Sequence, residues 1–359
     1  MDGQGEGPQP AVFASDPSKI ERRRVASCGP RGYNAVMKNR LLGQWIEKQL
    51  ADRPLRANSL IITIYGDMIA PHGGTVWLGG LIRLVEPLGL NPRTVRTSVF
   101  RLSREKWLVS EQIGRRSYYS LSAMGRRRFE HAFHRIYDDA RVAWEGDWQV
   151  VLTPGDSLTQ AQRDALRKEL LWEGYAAIAP GVLVHPSGQT EALLDILQIA
   201  GAHDKVVVLR AQTLGALSSR PLRQLVDQCW DLGKVAAEYQ SFIDRFRSVA
   251  RALRGASALD PEQCFVTRTL LMHEFRRVQL RDPSLPRQLL PDNWPGDTAR
   301  AMCRDIYQLC WGKTEAHLMQ MLETADGPLP RAAKISHARF GGILTDEPEP
   351  GGSQPLHAP

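Results

Sequence analysis

The stretch GLNPRTVRTSVFRLSREKWLVSEQIGRRSYYSL, residues 89–121, decides the reading of the chain. Asn91 followed by Pro92 is a helix start: the Asn side chain can cap an amide of the first turn, and Pro92 stands where no amide donor is needed. At about 100° per residue, Val95, Val99 and Leu102 fall on one side of the helix that follows. Arg93, Thr97, Phe100, Arg101 and Arg104 fall on the other, with Arg96 at its edge. Beyond it, WLVSEQ and SYYSLS are β-rich runs about a Gly-Arg-Arg tip, which predicts a hairpin.

From Asn91 to Arg128 there are ten Lys or Arg against two acids, Glu105 and Glu111, a local excess of eight where the whole chain carries +7. A charge so concentrated calls for an anionic partner. Upstream, SLIITIYGDMIA (59–70) and VWLGGLIRLVEPLG (76–89) predict two short apolar helices joined by a Gly-rich loop. Helix, helix, capped basic helix and hairpin is the order of a winged helix-turn-helix. Such a fold presents one helix to base edges in the major groove, while the wing sets cations on the flanking backbone. Arg suits both tasks better than Lys, because its planar fork pairs bidentately with guanine and with phosphate. The candidate DNA contacts are Arg93, Arg96, Thr97, Arg101 and Arg104 on the helix and Arg115 and Arg116 on the wing. The competing reading is a solvated amphipathic helix beside an ordinary hairpin.

The rest of the 359 residues is too much for one core, and the pattern changes along it. Residues 1–38, rich in Gly, Pro and Arg, predict a disordered arm, whose ERRR (21–24) is a solvated charge run or a phosphate contact. Residues 39–145 hold an amphipathic helix and the winged-helix elements. Residues 146–215 alternate DWQVVLT, a helix, YAAIA, GVLVHP, a helix and KVVVLRA, a βαββαβ order that predicts a ferredoxin-like domain. Residues 216–326 read as helices broken by Pro and Gly, and 327–359 as a disordered tail. The fold class is therefore α+β, in three domains.

In the helical part, Asp260-Pro261 repeats the capping logic of Asn91-Pro92. On the helix that follows, His273, Arg276 and Arg277 stand at i, i+3 and i+4, with Arg281 at its end and Trp294 in the Pro-rich loop beyond. Guanidiniums here can clamp phosphates while an aromatic wall receives an apolar group. They can equally form ion pairs between helices.

Other chemistries find little support. The five cysteines (28, 229, 264, 303, 310) show no CxxC spacing, and Cys303 and Cys310 read better as buried apolar groups than as metal ligands. His72 and His185 stand singly at element ends and are expected to be structural. No P-loop, nucleophile elbow or zinc spacing occurs, so no enzyme and no cofactor are expected. The first twenty residues lack a signal-peptide core, and no apolar run is long enough to span a bilayer, which predicts a cytoplasmic protein without membrane contact.

These motifs also resemble a known family. RTSVFRL…GRRSYY, YAAIAPGVLVHP and LMHEFRRVQLRDPSLPRQLLPDNWPG are similar to stretches of the PaaX family, repressors of phenylacetic acid degradation, over about residues 40–325. The resemblance implies a homodimeric transcriptional repressor that leaves operator DNA when phenylacetyl-CoA binds. It gives Arg93, Arg96, Arg101, Arg115 and Arg116 the DNA-contacting role, and its acyl-CoA effector brings a binding role for His273, Arg276, Arg277, Arg281 and Trp294 level with the ion-pair reading. The central domain in this family resembles the small nuclease of CRISPR adaptation, which makes a metal-dependent nuclease the alternative. That nuclease needs an acid at the end of its first strand, where this chain has Leu152-Thr153-Pro154; Asp156 lies beyond the turn. The domain is therefore expected to serve dimerisation, with its exposed sheet edge paired between subunits.

Overall fold

The computed structural model describes residues 39–52, 55–138, 144–155, 157–214, 217 and 221–343. The expected N-terminal arm, the ERRR run, Cys28 and Asp156 lie outside them.

Helix α1 (Arg40–Asp52) is capped by Asn39, whose side chain accepts from the Leu42 amide at 3.1 Å. Its apolar stripe of Leu42 and Ile46 is buried. Trp45 lies 5.3 Å from the ring of Phe246, and the Asn39 amide donates to Gln263 at 2.9 Å. By its contacts α1 thus belongs to the C-terminal helices, although it precedes the DNA-binding pattern in sequence.

Helix α2 (Ala57–Ile64) runs on through a π turn at Tyr65–Ile69 and a 3-10 turn at Ala70–His72. Leu60, Ile61, Ile64, Tyr65, Met68 and Ile69 are all buried. A helix apolar all round must be covered on all sides, and here it is enclosed by the elements that follow and by the C-terminal helices. Next come β1 (Thr75–Trp77), α3 (Leu78–Val85), α4 (Pro92–Arg104), β2 (Leu108–Ile113), β3 (Arg116–Leu121) and α5 (Ala123–Tyr137). The strands form an antiparallel sheet in the order β1-β3-β2. Strand β1 was not foreseen: Val76 and Trp77 were read as the start of a helix, and three residues are too few to show an alternation.

The central domain is β4 (Asp147–Leu152), α6 (Gln160–Trp172), β5 (Ala176–Ala179), β6 (Val182–His185), α7 (Thr190–Ile199) and β7 (Val207–Gln212). The antiparallel order β5-β6-β4-β7 is that of a ferredoxin-like sheet. Val151, Leu166, Leu170, Leu183, Leu193 and Ile196 pack between the sheet and its two helices. Trp148, Ala176 and Val184 join the main core instead. Edge strand β7 is exposed throughout, including Val207, Val208 and Leu209.

Four helices complete the chain: α8 (Leu222–Cys229), α9 (Leu232–Arg254), α10 (Pro261–Gln279) and α11 (Pro295–Met321). Asp260 caps α10 as expected, accepting from Gln263 at 2.8 Å. Cys303 and Cys310 are fully buried on α11, and Cys303 Sγ lies 3.9 Å from Met272 Sδ.

The tail corrects an expectation. Residues 327–343, assigned to a disordered segment, include a short strand β9 (Gly327–Pro328), paired with β8 (Glu323–Thr324), and 3-10 turns over Lys334–Gly341. The cause is one buried side chain. Arg339 donates to the Asp67 carbonyl at 2.7 Å, to its carboxylate at 3.1 Å and to the Tyr307 hydroxyl at 2.8 Å. The same carboxylate accepts from Tyr137 at 2.7 Å, Tyr307 at 2.9 Å and Arg268 Nε at 2.9 Å. Arg268 reaches on to Glu315 at 3.0 Å, and Glu315 to His72 at 3.0 Å. Burial alone would raise the Asp67 carboxyl, but Arg268, Arg339 and the Tyr137 hydroxyl hold it below its ordinary value.

Removing one member of such a cluster strands the others away from water, which costs about 3–5 kcal/mol. Asp67→Ala and Arg339→Ala should each lower the urea midpoint by that order. Wild-type midpoints in both would show that the network carries no stability.

Candidate functional site

The exposed side of α4 is built as the periodicity requires. Asn91 accepts from the Thr94 amide at 2.9 Å, and Val95, Val99 and Leu102 are buried against the core. Arg93, Arg96, Thr97, Arg101 and Arg104 all face solvent. The Thr97 hydroxyl is engaged with the Arg93 carbonyl at 3.0 Å, so the cations and the Phe100 ring make up most of the free surface. The β2–β3 hairpin stands beside this helix with Arg115 exposed at its tip.

Arg116 differs from its neighbour. Its guanidinium pairs with Glu323 at 2.7 Å and lies 4.5 Å from the centre of the Trp77 ring. It ties the turn end of β3 to β8, while Arg115 is the exposed cation of the tip.

The five residues expected to bind an effector do not converge. His273 Nδ1 lies 3.2 Å from the Thr63 hydroxyl, and Arg276 donates to Ser59 at 3.2 Å, so both face α2. Arg277 pairs with Glu274 at 3.2 Å, and Glu274 with Arg245 of α9 at 3.0 Å. Arg281 holds Glu238 at 2.8 Å. Trp294 is buried, its ring 6.0 Å from that of Tyr239. This is the ion-pair alternative of the sequence reading, extended by two hydroxyls. Burial pushes His273 down to about 4, with the Arg276 charge acting the same way.

A cavity of about 300 Å³ lies elsewhere, at the junction of the three domains. Its wall includes Arg135, Glu173, His185, Gln189, Asp282 and Arg300. Arg135, near the end of α5, donates to the Trp172 carbonyl at 2.6 Å and to the Leu280 and Asp282 carbonyls at 3.3 and 3.0 Å. Arg300 of α11 reaches back to the Ile136 carbonyl at 3.3 Å and to that of Asp138. His185 accepts from the Ser187 amide at 3.0 Å, which leaves Nε2–H to donate to the Pro283 carbonyl at 2.9 Å. It is structural, as expected, and burial holds it down to about 4 despite that bond. Gly174 closes the contact: a Cβ there would stand 2.7 Å from the Pro283 oxygen, and its φ of +100° favours glycine. Sequence reasoning missed this place because its residues come singly from distant segments and share no spacing.

In the central domain β4 ends at Leu152 with Thr153-Pro154 after it, so no carboxylate stands at that strand end. Among the described residues no group of His, Cys, Asp and Glu is arranged to hold a metal ion, and no helix is long and apolar enough to cross a membrane.

Comparison with known proteins gives the chain its relatives. The family model of PaaX-like proteins matches residues 56–125, that of the PaaX central Cas2-like domain residues 141–223, and that of the PaaX-like C-terminal domain residues 230–320. The transcriptional repressor PaaX of Escherichia coli K12 is 40% identical over 308 residues, covering 85% of this chain and 96% of its own. The chain belongs to the PaaX family. Among solved structures, the uncharacterized protein Rv0674 of Mycobacterium tuberculosis matches at 24% identity with a TM-score of 0.44, over 66% of this chain and 89% of its own. The three PaaX family models meet the chain in the order of its three structural parts, and the junction cavity takes residues from the central and C-terminal matched ranges and from the end of α5, which lies between the first two.

The imidazoles of His185 and His273 give this PaaX-family chain a pH signature. Both are neutral in the fold with values of about 4 and take up protons on unfolding below their ordinary 6.5. Their contribution is complete above pH 6.5 and is lost as the pH falls toward 4, by at most about 3 kcal/mol each. His185→Gln keeps a donor for Pro283 without the titration. The stability gap between wild type and this variant should therefore shrink as urea titrations move from neutral pH to about pH 4; a constant gap would contradict the assignment.

Proposed function

We propose that the protein is a transcriptional repressor of phenylacetic acid catabolism, which binds operator DNA through a winged helix-turn-helix and is released by an aryl-acyl-CoA. In this reading α3 and α4 are the helix-turn-helix pair, α4 enters the major groove and the β2–β3 hairpin is the wing. The observation that carries it is the α4 surface, where four exposed arginines lie opposite a fully buried Val95-Val99-Leu102 stripe, beside a hairpin tipped by Arg115. The 40% identity to a protein named as a transcriptional repressor supports the regulatory role, and with it a binding protein in preference to an enzyme. Two copies paired along the open edge of β7 would present two recognition helices to half-sites roughly 34–36 Å apart.

The effector reading takes phenylacetyl-CoA from the family resemblance and its seat from the geometry. The junction cavity is of the size that receives a small acyl group. Arg281, which precedes Asp282 of the cavity wall, and Arg277 are half-exposed and suit the phosphates of CoA. Helix α5 leaves the hairpin strand β3 and ends at the cavity with His134 and Arg135 on its wall. A ligand that moves this helix end tilts the DNA-binding elements, and a coupling of about 1–3 kcal/mol corresponds to 5- to 150-fold induction.

Fluorescence anisotropy on operator duplexes tests both halves. Arg93→Ala and Arg96→Ala should each cost roughly 1–3 kcal/mol at the specific site and relax sequence preference. Arg115→Ala should weaken specific and non-specific binding alike, with a shallower salt dependence. Unchanged affinity in all three would end the winged-helix reading. Phenylacetyl-CoA should release the DNA while free phenylacetate does not, and Gln189→Trp at the cavity lip should blunt release without weakening DNA binding. Equal release by the free acid, or full release in Gln189→Trp, would end the effector reading.

A further inference from the structure

The arginines of α4 leave one of its exposed groups without a role. Phe100 is 62% exposed, and among the described aromatic side chains only Trp172, at 39%, is comparably open. Trp172 already carries a cation, the Arg135 guanidinium lying 4.9 Å from its ring centre. A lone exposed apolar side chain signifies little. What singles out Phe100 is its position. It follows Arg93 by seven residues and precedes Arg104 by four, so the three share the line of the helix that points away from Val95, Val99 and Leu102. Arg96 and Arg101 flank that line.

The surroundings decide between partners. A protein partner seated on this ring would have to strip water from four or more guanidiniums at the centre of its interface, where charged residues are depleted. A DNA duplex meets the same guanidiniums with phosphates and base edges, and its major groove offers one apolar group to a ring between them. That group is the C5-methyl of thymine, which side chains such as Phe, Thr and Ala read by contact.

We propose that Phe100 is a specificity-determining residue that packs its ring against a thymine C5-methyl in each half-site. The proposal rests on α4 being the recognition helix. It assigns to one side chain a discrimination that none of the arginines can make, since guanidinium donors read acceptors on the base edge and are indifferent to a methyl group.

Duplexes selected by the full-length wild-type protein from a random pool supply the probe. Replacing each thymine in turn by uracil removes only the methyl. The wild type should lose about fourfold in affinity at one thymine per half-site, the contribution of one buried methyl-sized group. Phe100→Ala should bind more weakly and treat thymine and uracil alike at that position, whereas Phe100→Leu should keep part of the discrimination. Both variants alter an exposed side chain, and thermal midpoints equal to that of the wild type verify the fold. Indifference of the wild type to every uracil would overturn the proposal, as would wild-type discrimination in Phe100→Ala. Failure of the underlying reading looks different: the wild type would select no sequence, or Arg93→Ala and Arg96→Ala would keep its sequence preference. If those variants relax specificity while the uracil effect is missing, the proposal about Phe100 falls and the winged helix stands.

Discussion

The Asp67 carboxylate is the group on which the arrangement of this protein depends. It is presented by the π turn that widens the end of α2, and its partners come from α5, α10, α11 and the C-terminal segment. Two guanidiniums, two phenols and the carboxylate of Glu315 leave little of the charge unanswered. Buried ion pairs seldom exceed in stability the apolar packing that could replace them. What this one adds is direction. Apolar surfaces tolerate sliding, whereas Asp67 must meet Arg268, Arg339 and two hydroxyls together, so the end of α2, α5 and the C-terminal helices have one seating on each other.

That seating gives the basic surface a fixed frame, and the far end of α5 is fastened in a different way. Near α2 the elements that carry the basic helix are fastened by the buried cluster, and the turn end of the hairpin is fastened by Arg116 with Glu323 and Trp77. At the far end of α5 the fastening consists of Arg135 and Arg300 donating to backbone carbonyls around a cavity. Hydrogen bonds to carbonyls beside a void are exchanged for others more easily than a packed ionic cluster is broken, because a ligand can supply new partners in the same space. The contrast between the two ends separates a packed ionic attachment from one made to backbone carbonyls beside a cavity.

Much of this was legible in the sequence, for reasons that differ by element. The Asn91-Pro92 and Asp260-Pro261 starts were readable because capping is local chemistry. The α4 faces and the βαββαβ order were readable because periodicity reports burial. Strand β1 escaped for want of length, and the packing of residues 327–343 escaped because one arginine orders it, in a segment of tail-like composition. The effector cluster is more instructive. His273, Arg276 and Arg277 do share a stretch of helix, but spacing along a helix cannot say what lies opposite, and here Ser59 and Thr63 of α2 do, while Glu274 of the same helix pairs with Arg277. The junction cavity left no trace in any window, since Arg135, His185, Asp282 and Arg300 meet only in three dimensions.

The place of Arg339 in the chain bears on how the protein comes to be made. Domains fold in order as they leave the ribosome, and residues 57–137 can pair their strands long before Arg339 is synthesised. Until then Asp67 has one guanidinium fewer than its final site supplies, in a position that the mature protein closes to water. Such a carboxylate would stay hydrated, leaving the end of α2 less firmly seated than in the finished fold. A nascent or truncated chain would then hold the arginines of α4 in place less firmly until the segment that carries Arg339 has been made.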